Sequence, residues 1–185
     1  MSEDLSTVQE QVAELKAQLD AMQNKTPSNK LSMIVFSGDL DKALAAFIIA
    51  TGATAMGMEV VMFFTFWGTP ILRAKNKSAG GKDMMGTMFG TMLPKGTEQV
   101  KLSKMNMGGM GTAMMKSLMK KKNVASLEEM VALAEELDVK IYVCEMSMDL
   151  MGFKREEMID YKNLDFAGVA TFLAEAQDSK VQLFI

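Results

Sequence analysis

The feature that most constrains the fold is a set of short, almost wholly apolar runs separated by stretches with helical signals. The runs are rich in β-branched and aromatic residues, and they cover residues 31–36, 59–66, 139–143 and 181–185. Strands of a parallel sheet read as such continuous runs because helices bury both of their faces. The pattern therefore predicts an α/β protein whose strands are buried within a sheet.

Between the runs the sequence predicts helices of ordinary length. The first covers about residues 40–55, and Ser126 with Glu129 three residues later forms a capping box at the start of another. Further helices are predicted at residues 112–122, 148–151 and 166–176. Because strands joined by a helix form parallel pairs with right-handed crossovers, we expect a three-layer α/β/α fold with a mainly parallel sheet of about five strands.

The first 25 residues follow a different pattern. Apolar residues recur there at alternating spacings of three and four: Leu5, Val8, Val12, Leu15, Leu19 and Met22. Such a seam is typical of an oligomerising coiled coil, although three heptads are the minimum length that indicates one, and a frayed tail is the alternative. The chain is thus predicted to contain a heptad-patterned helix (residues 1–25), a linker (26–30) and an α/β domain (31–185).

The absence of histidine excludes several classes of function. Ser-His-Asp and Cys-His catalysis and histidine-ligated zinc all need a residue that the chain lacks, and we predict neither a metal nor another cofactor. The net charge of −3 gives no basic stripe for nucleic acid. One cysteine forms no internal disulfide and no secretory leader begins the sequence, so a cytoplasmic location is expected.

Residues 43–66 form a long, largely apolar run whose length would suffice to cross a bilayer. Glu59 lies inside this run, and Gly52 and Gly57 fall where a helix should end. Residues 60–66 are β-branched and aromatic, which favours a strand. We therefore expect a helix, a turn and a buried strand rather than a transmembrane span, while peripheral membrane contact through the methionine-rich region stays open.

Methionine is unusually abundant, with 21 residues, many of them within residues 83–119. Much of this region is predicted to be irregular, and long loops are often functional. Two groups have spacings that share a helix face: Met84, Met85, Met88 and Met92, and then Met107, Met110, Met114 and Met115. Core or oligomer packing is the favoured role, an adaptable lid or partner surface is the second, and Cu(I) binding by soft sulfur ligands is a weaker third.

Cys144 directly follows the predicted strand at residues 139–143. Open α/β sheets place ligands and reactive groups at the carboxyl ends of strands. Backbone amides at the start of the following short helix favour a thiolate or a persulfide anion, whereas Glu145 and Asp149 oppose one electrostatically. A buried, inert cysteine is equally compatible with this position.

Three blocks of sequence carry a family resemblance when taken in order. They are Phe-Thr-Phe-Trp-Gly at residues 64–68, a methionine-glycine block at 105–115, and Val-Cys-Glu-Met-Ser-Met-Asp-Leu-Met-Gly at 143–152. Together they resemble the tryptophan turn, the methionine-glycine block and the cysteine loop of DsrE/DsrF/DsrH-like proteins, specifically the methionine-rich second DsrE subgroup. The resemblance covers residues 31–185.

The resemblance implies a DsrE-like α/β/α fold, a homo-oligomer and a role in sulfur trafficking. In this family a cysteine accepts sulfane sulfur as a persulfide and passes it on, and this role carries over to Cys144. The implied partners are sulfur donor and acceptor proteins or low-molecular-weight thiols. The residues expected to support the pocket are Trp67, Gly68, Met146, Ser147, Met148 and Asp149.

Members of this subgroup are also labelled peroxiredoxin-like, but the residues give that label little support. No second cysteine is present to resolve a sulfenic acid, and no Pro or Thr leads into Cys144. Sulfur transfer between thiols needs a thiolate and a good leaving thiol but no general base, so one cysteine suffices. The residues therefore favour a relay over an autonomous sulfurtransferase. A non-catalytic, methionine-rich partner-binding module and a thiol redox sensor are the alternatives.

Overall fold

A computed structural model describes residues 2–23 and 27–185, and a five-stranded sheet forms the centre of the latter range. The strands are β1 (Ser28–Val35), β2 (Glu59–Phe64), β3 (Lys140–Cys144), β4 (Leu164–Ala167) and β5 (Ser179–Phe184). They lie in the order β4-β3-β2-β1-β5, and every neighbouring pair is parallel. The predicted three-layer α/β/α fold with a mainly parallel sheet is confirmed.

Seven α-helices accompany the strands within the described residues. They are α1 (Ser2–Gln23), α2 (Leu40–Ala55), α3 (Met84–Met92), α4 (Met110–Lys121), α5 (Leu127–Glu136), α6 (Glu145–Met151) and α7 (Val169–Gln177). The capping box predicted for α5 is present, because the Glu129 amide donates to Ser126 Oγ at 3.2 Å and the Ser126 amide donates to Glu129 Oε2 at 2.7 Å. Helix α2 begins and ends where the sequence predicts.

The sheet separates two apolar cores of unequal size. The larger core contains Phe47 of α2 and Phe64 of β2, both fully buried, and helices α2 and α5 contribute to it. The smaller core lies on the opposite face under α7, where Phe63 and Phe172 are buried together. Because side chains alternate along a strand, β3 sends Ile141 and Val143 into the larger core and Tyr142 and Cys144 into the smaller one.

The predicted linker at residues 26–30 is partly wrong. Strand β1 begins at Ser28, whose amide donates to the Asp178 carbonyl at 2.9 Å and whose hydroxyl donates to the same oxygen at 2.6 Å. Lys30 is 7% exposed and forms an ion pair with Glu175. The first residues of β1 are polar because they bond to the end of α7, so they lack the apolar signal of a buried strand. Residues 24–26 lie outside the described part of the chain.

The helix predicted at residues 166–176 is also corrected. Residues 164–167 form β4, which pairs with β3 so that Leu164 lies beside Ile141, and the helix begins only at Val169. Strand β4 is four residues long and lies at the sheet edge. Such a short edge strand carries no continuous apolar run. The residues on either side of Phe166, Asp165 and Ala167, are as compatible with a helix as with a strand.

The methionine-rich region is more ordered than the sequence predicts. Helix α3 lies within it and is capped by Asp83, whose Oδ1 accepts from the Gly86 amide at 2.7 Å. The helix packs closely on α6, because a Cβ on Gly152 would lie 2.4 Å from the Cα of Gly86. Gly152 also has a φ of +64° and ends α6, so two reasons favour glycine there.

The apolar run at residues 43–66 divides between α2 and β2, as predicted, and no helix within the described residues is long and apolar enough to cross a membrane. In α1 the side chains of Val8, Val12 and Leu15 are exposed. The side chains of the other seam positions lie outside the described residues. The oligomerising role of α1 and the division of the chain at residue 25 therefore stay predictions.

The capping box makes a measurable contribution to stability. Replacing Ser126 with alanine removes the acceptor for the Glu129 amide, so the Ser126→Ala variant should lose about 1 kcal/mol of unfolding free energy. Urea unfolding followed by circular dichroism measures this loss. Ser117→Ala is the matched control, since Ser117 is exposed in the middle of α4 and alanine favours a helix interior. Equal losses in both variants would contradict the assigned cap.

Candidate functional site

Cys144 is the last residue of β3 and the N-cap residue of α6, which begins at Glu145. Its partner in the sheet is Ala167 of the edge strand β4. The sequence predicts a short helix from about Met148, whereas the helix starts three residues earlier, at Glu145. The thiol thus lies at the carboxyl edge of the sheet, directly before the first amides of a helix.

The side chain of Cys144 is buried, with only 3% of its surface exposed. It belongs to the smaller core with Phe63, Ala167 and Phe172, and the two phenylalanine rings lie 5.2 Å apart. Sulfur transfer needs access to the thiol, whereas this thiol is covered. The reason is that β4 and α7 cover the thiol, and neither their boundary nor their position is readable from the sequence.

Ser147 connects α6 to the end of β2. Its side chain is fully buried, its Oγ lies 2.8 Å from Thr65 Oγ1, and it accepts a hydrogen bond from the Phe66 amide at 3.0 Å. These bonds satisfy buried polar groups at the carboxyl ends of two neighbouring strands. Ser147 therefore holds the helix that follows Cys144 against the turn that contains Trp67.

The tryptophan turn is a 3₁₀ helix, Phe66–Leu72, at the end of β2. Gly68 is required there because a Cβ would lie 2.3 Å from the Val35 carbonyl oxygen, so the turn crosses directly over the end of β1. Trp67 is 46% exposed and lines a cavity of about 350 Å³ together with Gly38, Asp39 and Lys42. The structure thus places Trp67 beside the turn between β1 and α2. Strand β2 separates β1 from β3, which carries Cys144.

The remaining predicted site residues lie in different environments. Met148 is buried in the larger core, on the face of the sheet opposite to Cys144, while Met146 and Asp149 are exposed on α6. The carboxylate of Glu145 forms an ion pair with Arg155. Of the two acids expected to oppose a thiolate, Glu145 is therefore partly neutralised by a cation.

A polar cluster that no sequence motif predicts lies at the last turns of α7. Glu175 accepts hydrogen bonds there from Lys30 at 2.8 Å, from Lys140 at 3.1 Å and from the Tyr142 hydroxyl at 3.1 Å. Burial acts to raise the pKa of Glu175, but the bonds and charges of Lys30 and Lys140 outweigh it and lower that pKa to about 2. The only sequence signal is the pair of lysines that begin the apolar runs of β1 and β3.

The groupings of side chains that bind metal ions in proteins combine several His, Cys, Asp or Glu residues. Among the described residues, no group of three or more His, Cys, Asp or Glu side chains is arranged to hold a metal ion.

Known proteins resemble the chain over most of its length. The sequence model of the DsrE/DsrF/DrsH-like family matches residues 27–184. The uncharacterized protein YrkE of Bacillus subtilis (strain 168) is 45% identical over 158 residues, which are 85% of this chain and 98% of that protein. The sulfur carrier protein DsrE2 of Allochromatium vinosum is 39% identical over 157 residues, 84% of this chain and 98% of that protein. Among solved structures, the ychN protein from E. coli has 8% identity and a TM-score of 0.49, covering 84% of this chain and 98% of that one.

The Glu175 cluster should make the stability depend on pH in the acid range. Its pKa falls from 4.5 to about 2 on folding, so its contribution is complete above the unfolded value and is lost as the pH falls towards 2. Between pH 7 and pH 3 the wild type should lose about 2 kcal/mol more unfolding free energy than Glu175→Gln. Urea titrations at both pH values measure the difference.

The matched control for this prediction is Glu98→Gln. Glu98 is exposed and paired with Lys75 on the surface, where an ion pair contributes little. The unfolding free energy of Glu98→Gln should therefore change with pH in nearly the same way as that of the wild type. Equal acid sensitivity of the wild type and Glu175→Gln would contradict the role assigned to the cluster.

Proposed function

The chain belongs to the DsrE/DsrF/DrsH-like family, and from this membership we propose that it is a sulfur carrier that holds sulfane sulfur as a persulfide on Cys144. The observation that carries the proposal is its 39% identity, over almost the whole length, with a protein named as a sulfur carrier. Cys144 is the single cysteine of the chain, and a carrier needs one thiol because its partners supply the others. A reducing, cytoplasmic compartment suits this chemistry.

The proposed transfer balances without an oxidant. The Cys144 thiolate attacks the outer sulfur of a donor persulfide, a new bond to Sγ forms, and the donor's S–S bond breaks. The electron pair leaves with the donor's inner sulfur, which takes up a proton as a thiol. The thiolate of an acceptor, a protein or a low-molecular-weight thiol, then attacks the outer sulfur in the same way and returns Cys144 to its thiolate form.

Two charged features lie beside Cys144 in the chain, although its side chain makes no capping hydrogen bond to α6. Cys144 directly precedes the first turn of α6, whose free amides carry partial positive charge. Arg155 pairs with Glu145 and lies 4.7 Å from the centre of the Phe166 ring, so the carboxylate next to Cys144 in the sequence is paired with a cation. Neither contribution requires histidine.

Transfer from Cys144 requires an opening, because its side chain is 3% exposed. The cover is thin: α7 has nine residues, its N-cap is Gly168 without a side-chain cap, and its outer face exposes Val169 and Leu173. The other end of α7 is held by the Glu175 cluster. Local opening needs the least energy where few buried contacts are lost, so we propose that the first turns of α7 move away from Cys144.

A second candidate function is a partner-binding module in which Cys144 is structural. The observation that favours it is the same burial of the thiol, combined with methionines exposed on α3 and α4. The two functions differ in what they require of Cys144, so one substitution separates them.

The direct test of the carrier is the mass of the intact chain. After incubation with a sulfane donor, the wild type should gain one sulfur atom, and the Cys144→Ser variant should gain none. Two methionine oxidations have nearly the same mass, so the gain must also be reversed by a thiol reductant, which does not reduce methionine sulfoxide. Equal reductant-reversible gains in both proteins, or none in the wild type, would refute the carrier.

The opening of α7 can be tested by the rate at which a thiol reagent modifies Cys144. Phe172→Leu weakens the packing over the thiol by about 1 kcal/mol, so the rate should rise roughly fivefold. Phe47→Leu is the matched control, since Phe47 is fully buried in the core on the other face. Equal acceleration by both variants would mean that labelling follows global unfolding and would contradict a local opening.

A further inference from the structure

Helix α4 (Met110–Lys121) presents an apolar face that nothing in the described part of the chain covers. Only Gly111 and Thr112 are buried among its residues. Its exposed apolar side chains include Met110, Met114 and Leu118, with Met114 at 64%, and these three follow one another at a spacing of four along one side of the helix. A contiguous exposed apolar face of this kind marks a site of interaction.

The same segment is strongly basic. Between Gln99 and Ser126 the sequence contains six lysines and no Asp or Glu, although the whole chain has a net charge of −3. Four of these lysines lie on or directly after α4: Lys116, Lys120, Lys121 and Lys122. We call α4 with this basic end the Met/Lys helix. Its partner should be apolar along one side and acidic.

Helix α1 (Ser2–Gln23) has the complementary properties. It contains five acidic residues and one lysine, a net charge of −4. Val8, Val12 and Leu15 are exposed along it at 55%, 45% and 62%. A helix with this apolar seam gains most of its stability from packing rather than from propensity, and no other described residue covers these three side chains. The family match begins at residue 27, and α1 therefore lies outside the part that defines the family.

We propose that α1 of one copy docks on the Met/Lys helix of a second copy. Unbranched methionine side chains adapt to the valine and leucine side chains along the seam of α1, and an amphipathic helix on an apolar groove is a recurring mode of recognition. The opposite charges of the two helices steer the pairing. Since each copy has both surfaces, two reciprocal contacts close a two-fold dimer. The proposal does not depend on sulfur chemistry at Cys144.

An anionic bilayer is the other surface that would suit methionines flanked by lysines. The structure favours the helix because α1 supplies both the acidic charge and three exposed apolar side chains within the same chain. A membrane would leave α1 without a partner. Pairing of α1 with another α1 would leave the Met/Lys helix uncovered.

Disulfide cross-linking between two full-length variants tests the proposal. One chain carries Val12→Cys and the other Met114→Cys, both with Cys144→Ser, and the mixture is oxidised mildly. A cross-linked heterodimer should form faster than with Met56→Cys as the second chain, which is the matched control because Met56 is 79% exposed at the end of α2. The proposal would be overturned if the Val12→Cys chain formed only linked homodimers with itself. It would also be overturned if the heterodimer formed at equal rates with Met114→Cys and with Met56→Cys.

Charge reversal makes the test specific. Lys120→Glu with Lys121→Glu in the Met114→Cys chain should slow heterodimer formation roughly tenfold, since like charges then oppose α1 at a cost of at least about 1.4 kcal/mol. Glu10→Lys with Glu14→Lys in the Val12→Cys chain should restore the rate. An unchanged rate on reversal would contradict the proposed pairing.

Two further measurements identify competing arrangements. A chain with both Val12→Cys and Met114→Cys that cross-links only within itself would show that α1 docks on its own copy and would overturn the dimer. If the heterodimer is absent and the wild type sediments with vesicles of phosphatidylglycerol and phosphatidylcholine but not of phosphatidylcholine alone, the Met/Lys helix binds lipid instead.

Discussion

The alternation of side chains along β3 (Lys140–Cys144) is the constraint on which the rest of the structure depends. Ile141 and Val143 point into the larger core and fix the strand there, so Tyr142 and Cys144 have to point to the face on which α7 lies. A shift of one residue would exchange the two sets and bury Lys140 in hydrocarbon. The large core thus determines both where the thiol lies and how thinly it is covered.

The surroundings of the thiol are held from two sides. Ser147 joins α6 to the end of β2 through two hydrogen bonds, which fixes the amides that follow Cys144. Glu175 joins the far end of α7 to Lys30 and Lys140. The first turns of α7 lie between these anchors and have neither. Side-chain bonds therefore hold the helix that follows the thiol and the far end of the helix that covers it.

Much of the fold is readable from the sequence because long apolar runs and a capping box have few alternative interpretations. The strands β1, β2, β3 and β5, helix α2 and the start of α5 follow from such signals. Strand β4 does not, since four residues at a sheet edge carry no periodicity, and Asp83 as the cap of α3 is hidden among methionines. The sequence predicts where the candidate site lies, at the carboxyl end of β3, but it does not predict that Cys144 is buried there. That depends on how α7 returns over the sheet, a contact between residues far apart in the sequence.

The distribution of sulfur in the structure has a consequence for oxidative stress. The thioethers of Met84, Met92 and Met110 are more than two-thirds exposed, whereas the thiol of Cys144 is buried. A peroxide diffusing to the protein meets these thioethers first, and the sulfoxides that form are polar and reversible by dedicated reductases. Oxidation of the exposed methionines would turn the apolar faces of α3 and α4 into hydrophilic ones before it reached the buried thiol.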